Sequence, residues 1–451
     1  MTRDEKIIFT ENVSEEHSEM CSSDERYLQD EGDQKLEPYF SQYALVKNRV
    51  KVEVLWLKFL IENVNGSELL DLFSFDRLPD LVSIYTGFSL NSYARISELE
   101  SNSDYNGDGV EAVKTFIQEE LKRMKLDDLI SFVNIGCTSE DVNNTSYAKM
   151  ISSAILEVWI PEAEKLINIM SKMAIKNANI AMLSCIDGQS EPTTIGKEIM
   201  VYVDRFKKSL ENIKAIKIYA KFNGNGNYGA ISTAFPNENW QLLSKRFVEE
   251  YLELEFNPIT SKAEHYDYVS HISDGIRHFN NLLIDMGQTI KMYKLKRYFK
   301  PSNDKINLIW LENMKESIKI SNGICLILTE VVFSSRIQRD CLGSLLQENL
   351  KGAFGYSIQA IEQIEKELRS NNINFDKINS ELNNQWTVLE EPITALLCKY
   401  GRCTNLKDIS KKDIDKIAEE IKLLSEKDKQ TLRKLTPSTY TGLAEKIVKN
   451  S

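Results

Sequence analysis

Proline and glycine are scarce in this 451-residue chain, at nine and nineteen. Few positions therefore stop a helix, and long uninterrupted helices are predicted. Histidine is scarcer still, at His17, His265, His271 and His278. The last two are seven apart and can share a helix face, but no third ligand accompanies them, which argues for structural histidines and against a metal. The seven cysteines (Cys21, Cys137, Cys185, Cys325, Cys341, Cys398 and Cys403) are scattered, odd in number and form no Cys-x-x-Cys. That pattern supports neither a zinc site nor a disulfide framework, and buried free thiols are the default reading. The strongest apolar run, Ile324 to Phe333, is interrupted by Thr329 and Glu330 and is too short to span a bilayer. No basic stripe with interleaved aromatics is present, so no nucleic-acid partner is expected. The opening Met1-Thr2-Arg3-Asp4-Glu5-Lys6 has no apolar segment of a secretory signal, and a cytoplasmic protein is predicted.

What is present is ordinary for a globular protein: 42% hydrophobic and 27% charged residues. The length calls for two or three domains. The net charge of −11 is uneven, because residues 1–37 hold four Lys/Arg against twelve Asp/Glu. The first twenty residues read as an acidic, disordered leader with too little apolar surface to offset chain entropy.

Helical periodicity dominates the rest. From Leu36 to Glu62, the residues Phe40, Tyr43, Ala44, Val50, Val54, Leu57 and Leu60 recur at helical spacing, with Lys47, Arg49, Lys51 and Glu53 mostly on the other side. Further helices are predicted over 110–126, 146–182 (with Pro161 as an interior break or bend), 193–220, 239–254, 266–299, 305–333, 343–370, 376–400 and 408–424. Strand signals are nearly absent. Helices of about 30 residues, roughly 45 Å long, point to an elongated bundle. One local motif misleads: Asp104-Tyr105-Asn106-Gly107-Asp108-Gly109 copies the first half of a calcium loop. The loop needs a bidentate Glu at its twelfth position, which is Thr115 here, so an ordinary turn before a helix is the better reading.

A set of ordered segments carries a more specific signal. Thr138-Ser139-Glu140-Asp141-Val142-Asn143-Asn144 resembles the Thr-Ser-Glu-Asp-x-Asn-Asn element of adenylosuccinate lyases, and Tyr43 to Leu57 is similar to their first-domain helix. Met182-Leu183-Ser184, Gly188-Gln189 and Pro192 to Glu198 resemble the family's histidine-bearing turn. Lys221-Phe222-Asn223-Gly224 with Gly226-Asn227-Tyr228 resembles its Asn-Gly loop. Asn257-Pro258 through Asp267, Gln338-Arg339-Asp340, Trp386 to Tyr400 and Leu435 to Gly442 follow in the family's order. Eight matches in register, spread over most of the chain, make the resemblance strong.

The resemblance implies an all-α, three-domain fumarase/aspartase-like fold. Its layout would be an N-terminal helical domain over 21–127 after the leader of 1–20, a central long-helix bundle over 128–370 and a C-terminal helical domain over 371–451. It implies a homotetramer whose bundled subunits share active sites, no cofactor, and elimination of fumarate from a succinylated nucleotide-like small molecule. The ligand-holding positions it marks are Arg26, Tyr27, Thr138, Ser139, Gln189, Lys262, Lys305, Asn307, Arg339 and Ser344. Three places in this set depart from the family: Glu25 replaces a glycine before Arg26, Lys262 itself stands where the family has glutamine, and Glu348 stands where an arginine of the phosphate contacts follows Ser344. A carboxylate there repels a phosphate.

The proton-transfer positions depart further. The histidine before Gly-Gln is Asp187, and the upstream histidine corresponds to Asp108. Neither carboxylate presents an imidazole donor near neutral pH. The serine-bearing signature loop is shortened by roughly ten residues, leaving Ser302 near its place. Acid–base groups contribute about 10²–10⁴-fold each. The favoured expectation is therefore a catalytically impaired scaffold that binds a ligand or partner, including hetero-assembly with an intact lyase subunit. The alternatives are a divergent lyase using Asp187 or Asp108 as base, and residual adenylosuccinate cleavage.

Overall fold

The computed structural model describes residues 31–64, 74–101, 109–184, 191–300, 308–333, 343–370, 372–402, 409–420 and 424–451. The acidic leader lies outside them. The described chain is predominantly helical, with a few short strands, and forms two compact units. One takes the residues up to Pro161 with Ile213–Arg277 and Lys319–Gln359; the other takes Glu162–Asn212, His278–Ile318 and Ala360–Ser451. No described helix is long and apolar enough to cross a membrane.

In the first unit the helix Gln42–Asn63 is central. Ser41 caps it by accepting from the Ala44 amide at 3.1 Å. It buries Val50, Val54 and Leu57, but also Leu45, Val52 and Leu55 on other sides. The polar side expected for it is accordingly not a solvent face: Glu53 is 2% exposed, and Arg49 donates to Asn143 Oδ1 at 2.9 Å. Packing partners on several sides override the two-sided pattern that periodicity suggests. Trp56 and Phe59 of this helix join Phe222, Trp240, Phe247 and Tyr251 in one aromatic cluster, with Trp56 and Phe222 centroids 4.7 Å apart.

The helix Ser139–Ala154 follows a capping box, in which Thr138 and Asp141 exchange side-chain-to-backbone bonds. The interruption predicted at Pro161 takes the form of a π-helical turn, Ile155–Trp159, before the helix Ile160–Lys176. Proline lacks the N–H that would continue the ladder, and the widened turn absorbs the mismatch. Trp159 is fully buried in this unit and donates to Ser357 Oγ at 3.0 Å.

The second unit packs parts of long helices around Phe206 and Phe279, whose rings lie 4.8 Å apart. Gly287 allows close approach, since a Cβ there would meet Leu311 at 2.7 Å and Met314 at 2.9 Å. Two antiparallel ribbons belong to this unit, Ala181–Leu183 with Pro192–Thr194 and Phe299–Lys300 with Asn372–Ile373. In the second ribbon Lys300 pairs with Asn372, and the Asn374 amide donates to the Tyr298 carbonyl at 2.7 Å. The helix Asp267–Leu295 ends just before it, at Arg297 with φ of 57°, where the Tyr298 amide donates back to the Tyr293 carbonyl. A C-terminal apolar cluster is built from Leu389, Ile393, Leu397, Ile409, Ile414, Ala418, Leu424 and Leu432.

Boundaries differ from the sequence expectation in places. The helix Gly343–Ser370 matches end to end. The helix expected over 376–400 is instead Phe375–Asn383, a 3₁₀ turn Trp386–Leu389 and Glu390–Cys398. Asn384 and Gln385 close the first piece, and Pro392 is tolerated only in a first turn, which obliges a new start near Glu390.

Candidate functional site

The described residues marked as ligand-holding, Thr138, Ser139 and Lys262, lie in the first unit around Asp141. The chain approaches it through a tight turn with Asn134 at φ of 62° and Gly136 at 73°. A Cβ on Gly136 would meet the Ile231 side chain at 2.7 Å, so this turn requires glycine for conformation and for space. Thr138 and Ser139 follow, both half-buried, at the N-terminus of the helix Ser139–Ala154.

Asp141, one turn into the helix, is fully buried. Its Oδ2 accepts from the Thr138 amide and hydroxyl, each at 2.8 Å. Its Oδ1 accepts from Lys221 Nζ at 2.9 Å and from the Asn223 amide at 3.0 Å. Lys221 is also fully buried and donates further to the Gly224 carbonyl at 2.8 Å and to Asn223 Oδ1 at 3.4 Å. Asn144 completes the knot: its Oδ1 accepts from the Lys221 amide at 3.0 Å and its Nδ2 donates to the Lys221 carbonyl at 3.2 Å.

The run 219–223 explains how one short segment serves two environments. It leaves the parallel pairing of Tyr219–Ala220 with Glu255–Phe256 in extended form, and alternation turns Phe222 into the aromatic cluster while Lys221 and Asn223 face Asp141.

A second loop closes on the first. Asn223 Nδ2 donates to Thr260 Oγ1 at 2.8 Å, and Gly226, at φ of 91°, approaches the Thr260 carbonyl so closely that a Cβ would meet it at 2.5 Å. The Glu264 amide donates to Glu140 Oε1 at 3.0 Å. The exposed Lys262 therefore rides on a segment secured at both ends. Burial pushes the Glu264 carboxyl above its ordinary value, with donors from His265 and Asn257 opposing the shift.

Behind the turn sits Glu53, bonded to the Asn134 amide group. Burial pushes its carboxyl up to about 7 against the Asn134 donor. Cys137 is held well above the usual thiol range by burial, then by the nearby Glu53 and Asp141 carboxylates, and so is no nucleophile.

Of the residues marked from the sequence, the structure places Thr138, Ser139 and Lys262. Arg26, Tyr27, Asp108, Asp187, Gln189, Ser302, Lys305, Asn307 and Arg339 lie outside the described residues, as does the side chain of Ser344. Among the described residues no group of His, Cys, Asp and Glu could hold a metal ion. Sequence reading missed Asp141, Lys221, Asn144, Asn223, Thr260 and Glu53 as site-forming residues. Asp141, Asn144, Lys221 and Asn223 sat inside segments noted for their resemblance, but nothing local marks a partner 80 residues away.

A lyase family model matches residues 89–300, and an adenylosuccinate lyase C-terminal model matches residues 335–441. The adenylosuccinate lyase of Legionella pneumophila is 33% identical over 438 residues, covering 92% of this chain and 94% of that protein. This chain belongs to the adenylosuccinate lyase family. The Escherichia coli adenylosuccinate lyase is 32% identical over 433 residues, covering 91% of this chain and 93% of its own. The same fold is evident in more distant solved structures. A fumarate lyase from Mesorhizobium sp. BNC1 superposes with a TM-score of 0.67 at 16% identity, covering 93% of this chain and 97% of that one. The 3-carboxy-cis,cis-muconate lactonizing enzyme from Pseudomonas putida gives 0.65 at 15% identity, covering 92% and 95%. The Thr138–Asp141 knot is thus set in an adenylosuccinate-lyase-type, all-α frame.

Proposed function

We propose that this family member keeps the ligand-holding scaffold and has lost the proton-transfer chemistry, acting as a binding scaffold for a nucleotide-like small molecule or for an intact lyase subunit. The observation that carries this reading is the anchoring of the chain before the shortened loop. Lys300 is paired to Asn372, and the helix Ile309–Val331 begins nine positions later. Ser302 is two peptide units past Lys300, and two units reach only about 7 Å. The stretch between this anchor and the next helix is roughly ten residues shorter than the family's serine-bearing loop, and neither its serine pair nor its Met-Pro occurs in it. With Asp187 and Asp108 in place of both histidines as well, losing acid and base together costs on the order of 10⁴–10⁸ in rate.

The family's three-domain layout and cytoplasmic homotetramer belong to the same proposal. Ile175, Met292, Leu295, Ile309, Leu326 and Ile327 are exposed on long helices, and apolar side chains so placed favour association with further copies.

The test is incubation of the purified protein with adenylosuccinate while fumarate release is followed, with calorimetric titration of the same compound. The expected result is binding with turnover at least about 10⁴-fold below an intact lyase. Turnover at family rates overturns the reading. Slow release that Asp187→Ala abolishes would instead establish a divergent lyase with a carboxylate base. Native mass spectrometry of a mixture with an intact lyase checks for mixed assemblies.

A further inference from the structure

The buried charge pair at the centre of the knot has no part in the chemistry the family resemblance assigns, and burying it needs a reason. Removing two opposite charges from water costs several kcal/mol per ion, and a buried pair is often no more stabilising than apolar residues of the same volume. Here the pair is saturated. The three N–H groups of Lys221 meet Asp141 Oδ1, Asn223 Oδ1 and the Gly224 carbonyl. The two oxygens of Asp141 take four donors: the Thr138 amide, the Thr138 hydroxyl, Lys221 Nζ and the Asn223 amide.

Those partners come from segments about 80 residues apart, the Thr138–Ser139 turn and the Lys221–Gly224 loop. Through the Asn223–Thr260 bond a third segment, the one bearing Lys262, is drawn in. Each bond is directional, so the pair sets relative positions in a way that an apolar contact would not. It also orients one hydroxyl. With its hydrogen given to Asp141, Thr138 Oγ1 can meet a ligand only as an acceptor.

We propose that Asp141 and Lys221 are a positioning pair for the ligand turn: they set where Thr138 and Ser139 stand relative to the Asn223-Gly224 loop, and their loss weakens ligand binding before it weakens the fold. The binding half of this inference rests on the scaffold reading above; the loop-positioning half does not.

The experiment uses the full chain with both charges removed together, Asp141→Asn with Lys221→Met, so that no unpaired buried charge remains. Three quantities are read: the urea midpoint, amide hydrogen exchange across 138–145 and 221–229, and the adenylosuccinate dissociation constant. The expected result is a midpoint close to wild type, exchange rising in both segments together, and affinity weakened roughly tenfold or more, as for losing a buried charged hydrogen bond. Unchanged exchange in either segment, or unchanged affinity with the pair gone, overturns the proposal. If the wild-type chain binds no adenylosuccinate, the scaffold reading loses that ligand while the exchange data still decide the pair. Should the double variant fail to fold, Asp141→Asn with Lys221→Gln keeps a neutral hydrogen bond and is read the same way.

Discussion

Asp141 and Lys221 meet where no side-chain surface reaches solvent, and every oxygen and N–H of the pair has a named partner. Ile393 also reaches no solvent, but its neighbours Leu389, Leu397, Ile414 and Leu432 are purely apolar, and a polar contact nearby, Lys399 with Asp428 at 3.0 Å, is open to solvent on the lysine side. The difference is one of directionality. Apolar packing rewards volume and tolerates repacking, whereas a saturated ionic knot fixes particular backbone positions and leaves a large penalty when one member is lost. In this chain the directional chemistry surrounds the turn that carries Thr138 and Ser139, and the tolerant chemistry holds the C-terminal helices.

The comparison breaks most visibly at Lys221. Lys221→Met alone strands the Asp141 carboxylate and should lower unfolding free energy by about 3–5 kcal/mol in urea titration. A loss no greater than that of a core methyl group would mean the knot is no more demanding than the apolar cluster.

Next is Glu53, beside the same turn. Its carboxyl ionises at about 7 in the folded chain against an ordinary value of 4.5. Between those values the folded state holds the proton longer than the unfolded one, so stability falls as pH rises from 4.5 to 7. The cost is absent below this window and fully present above it. Glu53→Gln should remove that slope and stabilise the protein at pH 8 by roughly 3 kcal/mol. Denaturation midpoints at pH 5 and pH 8 for both proteins check it; a wild-type midpoint that climbs with pH contradicts it.

In the apolar cluster, Ile393→Val should cost only about 1 kcal/mol, since one methylene is lost and the neighbours relax. Lys399→Ala should leave the midpoint unmoved within error, because the exposed Lys399 is screened by solvent and Asp428 keeps Tyr400 and Ser425 as donors.

How much of this was legible beforehand varies by element. The uninterrupted pattern over 343–370 lacks proline and internal caps, and the helix Gly343–Ser370 occupies that stretch without change. The helix beginning at Ser139 carries its own start signal, Thr138 with Asp141 three residues on, yet periodicity placed its start later, because Glu140, Asn144, Thr145 and Ser146 are buried polar residues that break an apolar stripe. Thr138, Ser139 and Lys262 were marked as ligand-holding positions through resemblance, while Asp141 and Lys221 were not marked at all. A charge pair 80 residues apart leaves no local trace, and each residue alone reads as an ordinary surface charge.

The amino-acid sequence by itself determined a predominantly helical protein and its family, since these depend on residue type, spacing and chain length. Only the tertiary structure decided that Glu53 lies inside, that Lys221 closes on Asp141, and that three loops share one polar knot. Burial and pairing are set by which segments meet, and the free energies of charge depend on those neighbours more than on the residue that carries it.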